Sequence, residues 1–321
     1  MHTLASRALD ILAYQLAAPL ARGPYADLTA WRDVLLSCPF TGHAERALWA
    51  GFHADRIAYA FVGGYSAALA RLVEQTARPG HPPPGRAFPA RLSLCATEAG
   101  GGHPRNIATR LDTQGGALVL NGEKTFATLA GAVDELLVVA SRGLDSDSRN
   151  RLVLVRVKPT AKGVEIVTKA PLPFAPELPH ARVRFEDVVV EEDDVLRGDG
   201  YERYLKPFRT IEDTHVLAAT VGYLVGAARE HGFERGIVTE LVGLALSLVD
   251  VGARDPAAPL THLVLAGLFG TLRRVAAALG PEWERAPEDE RARWHRDQPI
   301  LMVADGVRAQ RTAAAWKALA S

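Results

Sequence analysis

Cysteine is nearly missing from this chain. Of its 321 residues only Cys38 and Cys95 are cysteines. That excludes a disulfide framework and any thiolate-built metal centre, and it fits a reducing, cytoplasmic setting. Net charge is missing as well. Lys plus Arg number 37 and Asp plus Glu number 37, so the basic excess of a nucleic-acid binder is absent. Long apolar runs are also lacking. The longest, Leu241 to Val249, is interrupted by Ser247 and falls far short of the ~20 residues that cross a bilayer, so no membrane span is expected. The opening MHTLASRALDILAYQL has no basic segment leading into an unbroken apolar core, and no signal peptide is expected. There is no repeat of fixed period and no metal-ligand spacing. What remains is ordinary for a folded soluble protein, with 48% hydrophobic and 23% charged residues. The length suits two or three compact units.

The hydrophobic period changes twice along the chain. Residues 3–77 read as helical, with Leu48, Phe52, Ile57, Phe61, Tyr65, Leu69 and Leu72 on one amphipathic face. Gly63-Gly64 interrupt that face, which points either to close packing or to a kink. Residues 78–91, RPGHPPPGRAFPAR, hold five prolines and two glycines and mark a linker. From 92 to about 192 the pattern is short extended runs: Ala117–Leu120, Glu135–Ala140, Leu152–Val157, Val164–Thr168 and Ala181–Phe185. Turn residues separate them at Asn121-Gly122, Asp145-Ser146-Asp147 and Lys162-Gly163. The helical period returns from about 201. Ile237, Leu241, Leu244, Leu248 and Val251 form one stripe, and Leu260, Val264, Leu268, Leu272 and Val275 form another. Pro299 can open a last helix with Ile300, Val303 and Val307 on one face. The predicted fold class is α+β: an N-terminal helical domain (1–90), a middle antiparallel β-barrel or sandwich (91–198) and a C-terminal four-helix bundle (199–321).

The stretch from Cys95 to Gly131 carries the chemistry. A short apolar run ends in Thr97-Glu98 and three glycines, Gly100 to Gly102, followed by His103-Pro104-Arg105. Lys124-Thr125-Phe126-Ala127-Thr128 come after the Asn121-Gly122 turn. Glycines free the backbone and let a ligand approach. A strand and a returning strand can hold a flat ligand between Thr97 and Thr128, with Phe126 stacking on it.

These residues resemble the acyl-CoA dehydrogenase superfamily, of which the chain looks like a shortened, divergent member. Cys95-Ala96-Thr97-Glu98 with Ala99 to Gly102 is similar to the family's T-E-P-x-A-G-S-D segment. Leu120-Asn121-Gly122-Glu123-Lys124 with Phe126 and Thr128 is similar to L-N-G-x-K-x-[WF]-I-T-N. Ala181 to Val188 with Asp194-Val195-Leu196 is similar to the strand and exit loop that close the β domain. The resemblance implies FAD, held by Cys95, Thr97, Gly100, Gly101, Gly102, Arg105, Phe126 and Thr128. Thr97 would meet the pyrimidine edge, Phe126 a ring face, and Thr128 the region of the reactive nitrogen. It also implies an acyl thioester substrate, hydride transfer to the flavin, and a homodimer or homotetramer.

The sequence departs from the family in three places. His103 and Pro104 replace the Ser and Asp of the glycine segment, and with Arg105 they suggest a phosphate cradle or a solvated turn. Phe233-Glu234-Arg235-Gly236 does not reproduce the family's Arg-x-x-Phe-Gly. The C-terminal Y-E-G glutamate is lacking; Asp305, in Ala304-Asp305-Gly306, is the positional candidate for the catalytic base, one methylene shorter than Glu. Glu212, within the cluster Arg209, Glu212, Asp213 and His215, is a second candidate base. Alternatives to dehydrogenation are a flavin-dependent monooxygenase of the same fold, or a non-catalytic binding or partner protein.

Overall fold

Two adjacent glycines set the first hairpin of the sheet. The computed structural model describes residues 4–74, 88 and 91–320, and most of the proline-rich linker lies outside them. The strands are β1 (Leu92–Cys95), β2 (Arg110–Gln114), β3 (Ala117–Thr128), β4 (Glu135–Leu144), β5 (Asn150–Val157), β6 (Val164–Thr168), β7 (His180–Val190) and β8 (Val195–Leu196). Between β2 and β3, Gly115 and Gly116 take φ of 59° and 88°, the positive pair that a two-residue hairpin turn requires. The expected turn at Asn121-Gly122 is therefore corrected. Both residues lie inside β3, where the register against β7 shifts between Leu120 and Gly122. This is a β-bulge, and it holds because Asn121 Oδ1 accepts the Asp187 N–H at 2.8 Å and Asn121 Nδ2 donates to Asp187 Oδ1 at 3.1 Å.

The sheet order is β6-β7-β3-β2-β4-β5-β8, with β1 paired to β4. Most pairs are antiparallel, but β4 runs parallel to both β1 and β2, because a long connection separates β1 from its neighbour. Along β7 burial alternates, the period of a strand with one face packed. That face forms a core with Cys95, Leu111, Leu120, Leu136, Val138, Val155, Val183 and Phe185.

The helices are α1 (Leu4–Ala17), α2 (Leu28–Leu35), α3 (His43–His53), α4 (Ile57–Glu74), α5 (Lys206–His231), α6 (Arg235–Ala253), α7 (Pro259–Ala278), α8 (Glu288–Asp297) and α9 (Asp305–Ala320). The N-terminal region is thus divided, and its apolar stripe runs from α3 onto α4. Gly63 and Gly64 serve close packing rather than a kink, since α4 passes through them unbroken. A Cβ on Gly63 would meet Ala50 Cβ at 2.3 Å, and one on Gly64 would meet the His215 carbonyl at 2.7 Å. The predicted face of α6 is buried at all five positions. Among the described residues α6 is also the one helix long and apolar enough to cross a membrane by length and composition, with one face buried here. The face of α7 is shifted. Thr261, Leu265, Phe269, Leu272 and Val275 are buried, while Leu260 is 52% exposed. Pro299 opens a short 3-10 turn, Gln298–Met302, and Val303 is 67% exposed, so the stripe expected there does not form.

The chain divides into two compact units. A helical unit takes residues to Ala68, Leu172–Glu177 and Thr210 onward; a β unit takes Leu69–Pro171 and Leu178–Arg209. The Leu172–Glu177 segment belongs with the helices because buried Asp297 accepts the Ala175 N–H at 2.7 Å and Glu177 pairs with Arg296 at 2.9 Å.

Candidate functional site

A buried carboxylate organises the glycine loop. Glu98 accepts four hydrogen bonds: the Ala108 N–H at 2.7 Å, the Thr109 N–H at 3.1 Å, the Thr109 hydroxyl at 2.7 Å and Lys124 Nζ at 2.6 Å. Lys124 is completely buried and also donates to the Val139 carbonyl at 2.6 Å. Burial alone would raise the Glu98 pKa, yet Lys124 and the backbone donors hold it below the usual carboxylate range. The pair ties the loop after β1 to the middle of β3 and to β4. Neither residue was singled out as functional by sequence reasoning; Glu98 and Lys124 are 26 residues apart, and a helix or strand period gives no reason to pair them.

The loop turns tightly at Gly101, whose φ is 86°. Its N–H donates to the Glu98 carbonyl at 2.8 Å, so that amide is already used within the chain. Gly100 lends its carbonyl to Asn106 Nδ2 at 2.6 Å. Pro104 opens a 3-10 turn, Pro104–Asn106, with His103 Nδ1 accepting the Arg105 N–H at 3.3 Å. The guanidinium of Arg105 is exposed. Arg209, at the start of α5, reaches the Gly102 carbonyl at 3.5 Å.

Beyond the loop, three predicted residues come together. Thr97 bridges Phe126 in an antiparallel pair, and its carbonyl accepts the Thr125 N–H at 2.9 Å. Phe126 sits where the β3–β7 register shifts between Lys124 and Ala127, and such a bulge redirects side chains. Thr128 stands opposite His180 in the same ladder. Thr97, Phe126 and Thr128 are all half-buried. Cys95 adds no side-chain atom to this patch. Its thiol lies in the sheet core, where burial pushes its pKa up to about 12.

His180 is the residue that sequence reasoning missed. Its ring stacks on Phe126 with centroids 4.3 Å apart and planes 26° from parallel. It is 7% exposed, and neither ring nitrogen has a hydrogen-bond partner among the described residues. Burial lowers its pKa, and the nearby Lys169 ammonium lowers it further. Lys169 lies 5.7 Å from the Phe126 ring and donates to the Thr125 carbonyl at 3.1 Å. In the sequence, His180 is only the first residue of an alternating strand, with no motif around it.

The two candidate bases belong to the helical unit. Asp305 opens α9 and its Oδ1 is shared by Arg273 at 2.5 Å and Arg308 at 3.1 Å. Glu212 lies half-buried on α5, beside Asp213, which is buried and paired with Arg308 and Arg311. A cavity of about 570 Å³ opens elsewhere in this unit between Tyr14, Tyr25, Trp49 and His53. There His53 Nδ1 donates to the Ala21 carbonyl at 3.0 Å and Nε2 accepts the Tyr14 hydroxyl at 2.9 Å. Glu230, His231 and Glu290 gather their ligand atoms within 4.8 Å of one another, but Arg22 pairs with Glu230 and His231 hydrogen-bonds Glu290 at 3.0 Å, so these groups already have partners within the protein.

Residues 93–188 match the family described as the acyl-CoA dehydrogenase middle domain. That match covers the middle of the chain, and the whole chain shares its fold with solved structures. No curated protein matches the chain by sequence. Among solved structures, apo-form PigA is similar with a TM-score of 0.73 and 11% identity over 100% of this chain and 98% of that one. Butyryl-CoA dehydrogenase from Megasphaera elsdenii gives 0.67 and 14%, covering 98% of each chain. FkbI, for biosynthesis of the methoxymalonyl extender unit of a polyketide immunosuppressant, gives 0.64 and 18% over 99% of this chain and 97% of its own. PigA is also described with FAD and proline, at a TM-score of 0.71 and 11% identity over 98% of this chain and 97% of that one.

Proposed function

We propose that this chain is an FAD-dependent oxidoreductase of the acyl-CoA dehydrogenase type. The observation that supports it best is the patch of Thr97, Phe126 and Thr128. A half-exposed aromatic face lies between two hydroxyls, which is the donor set that a flat, polar-edged ring system needs. FAD, when bound, supplies a two-electron acceptor for hydride. Thr97 would bond the pyrimidine edge, Phe126 would cover a ring face, and the Thr128 hydroxyl would stabilise charge arriving near the reactive nitrogen. Gly100, Gly102 and Arg105, with Arg209, offer amides and a cationic fork toward phosphate; Gly101 shapes the turn, since its own amide is used.

The reaction proposed is α,β-dehydrogenation of an acyl thioester, with a carboxylate taking the α-proton. Asp305 is the first candidate for that base and Glu212 the second. Asp305 Oδ2 is the atom left to act, because Oδ1 is held by two guanidinium groups. That ion pairing favours a second reading, a flavin monooxygenase of the same fold, whose chemistry requires no carboxylate at this position. We propose a small-molecule acyl thioester as substrate, a homodimer or homotetramer as the assembly, and a cytoplasmic setting, the last supported by two free cysteines.

Reconstitution with FAD tests the reading. The purified protein should hold a stoichiometric flavin with a visible absorption spectrum, and Thr128→Val should weaken that binding. A protein that stays colourless with excess FAD sinks it and favours a non-catalytic partner protein. Where flavin binds, acyl-CoA-dependent reduction of an electron acceptor indicates dehydrogenation. Oxygen consumption driven by supplied reduced flavin indicates monooxygenation. Asp305→Asn should abolish the first activity and spare the second.

A further inference from the structure

We propose that Asn150 is a positioning residue for the phosphate-facing end of the flavin site: its side-chain amide clamps the turn that carries Arg105, so that the guanidinium is presented from a fixed backbone. The inference rests on the FAD reading above, in which Arg105 faces phosphate, and it assigns that site a residue from a different strand.

The turn has little of its own to hold it. Pro104–Asn106 is three residues long, with Arg105 and Asn106 exposed. A 3-10 turn closes with poorly aligned bonds. Here the Asn106 N–H reaches the His103 carbonyl at 2.8 Å and the Ile107 N–H reaches the Pro104 carbonyl at 3.4 Å. Asn150 supplies what is missing. It opens β5, 46 residues beyond Pro104. Its Nδ2 donates to the Pro104 carbonyl at 3.1 Å and to the Ile107 carbonyl at 2.9 Å, one acceptor on each side of Arg105. Its Oδ1 accepts the hydroxyl of buried Ser141, whose oxygen in turn accepts the Gly143 N–H at 3.0 Å. Chemistry fixes the direction of that amide. Two carbonyls can only accept, so the NH2 group faces them, and both of its N–H bonds are spent on the turn.

Two further bonds complete the frame. His103 Nδ1 accepts the Arg105 N–H at 3.3 Å, and Asn106 Nδ2 joins the turn to the glycine loop through the Gly100 carbonyl at 2.6 Å. The backbone around Arg105 is thus held before any ligand arrives, and binding has only the side chain left to order. Carbonyls on an exposed turn could equally be solvated by water. Fixing them in advance lowers the conformational entropy lost on gripping a ligand, and a planar guanidinium gains most from this, because its fork must meet phosphate oxygens in one orientation.

The experiment is FAD titration of wild type, Asn150→Leu, Arg105→Ala and the double variant, read by flavin fluorescence quenching in about 50 mM and about 500 mM KCl. Thermal unfolding checks that each protein is folded. Arg105→Ala should bind FAD about tenfold more weakly at low salt, and the salt dependence of its affinity should flatten, since an exposed charge contact is screened. Asn150→Leu, similar in size and without N–H groups, should lose about fivefold and flatten the salt dependence in the same way. The double variant should bind no more weakly than Arg105→Ala, because Asn150 acts through that residue. A role confined to stability would leave the salt dependence of Asn150→Leu as in wild type. That outcome, or losses that multiply in the double variant, overturns the proposal while the flavin reading stands. So does an Arg105→Ala protein that binds FAD as wild type does. If Asn150→Leu fails to fold, Asn150→Ser, whose hydroxyl cannot span both carbonyls, takes its place under the same criteria. A wild type that takes up no FAD overturns the flavin reading and this assignment with it.

Discussion

The Glu98–Lys124 pair shows what one contact does for this site. Lys124 has no exposed surface, and its ammonium is balanced by one carboxylate and one carbonyl. Removing one partner of a buried pair leaves an uncompensated charge, which costs about 3–5 kcal/mol. Lys124→Ala should lower the unfolding free energy from urea titration by that amount, whereas Lys124→Met combined with Glu98→Gln should recover part of the loss. Thr97→Val acts differently. It keeps the β-branched shape in a half-buried strand position, so the urea midpoint should stay near wild type while flavin affinity falls. The two outcomes separate residues that build the loop from those proposed to face a ligand. That Thr97 and Phe126 lie on paired strands, with Thr128 two residues on, was legible because their order forms a pattern in the chain. The place of His180 was not, because it comes from a ring contact across the β3–β7 ladder that no spacing announces.

At the scale of elements, glycines distinguish packed from open helix faces. A Cβ on Gly64 would sit 2.7 Å from the His215 carbonyl and 2.9 Å from Val216 Cα. Gly64→Ala should therefore destabilise by about 1–3 kcal/mol through overpacking, despite alanine's better helix propensity. On α6, a Cβ at Gly243 meets nothing within 4 Å. Gly243→Ala should stabilise by about 0.5–1 kcal/mol. Thermal unfolding of the two variants in one buffer checks the opposite signs. The helical faces were partly legible for the same reason. On α6 the apolar period and the buried period coincide, whereas on α7 polar Thr261 is buried and apolar Leu260 is exposed. The Thr261 hydroxyl is satisfied by the Asp255 carbonyl at 2.8 Å, so burial there follows a local hydrogen bond rather than hydropathy.

For the whole molecule, pH should act through buried neutral histidines. Burial lowers the pKa of both His53 and His180 from the ordinary 6.5. In the unfolded chain each imidazole takes a proton near that value; in the folded protein it does so only at lower pH. The stability they confer is thus full above about pH 6.5 and is lost as pH falls below it. Melting temperature should drop between pH 7.5 and 5.5, and His53→Phe with His180→Phe should flatten that slope. A slope unchanged in the double variant would assign the pH dependence to other groups.

The order helical, β, helical and the glycine loop between β1 and the turn at Pro104 were determined by the sequence itself, because local period and side-chain chemistry are written in neighbouring positions. Only the tertiary structure decided that Asn121-Gly122 is a bulge instead of a turn, that Leu172–Glu177 packs with the helices, that Asp305 is held by two arginines, and that His180 lies against Phe126. Each of these depends on contacts between residues distant in the chain, whose energies are set by burial and by hydrogen bonds across strands and helices, and no local pattern encodes them.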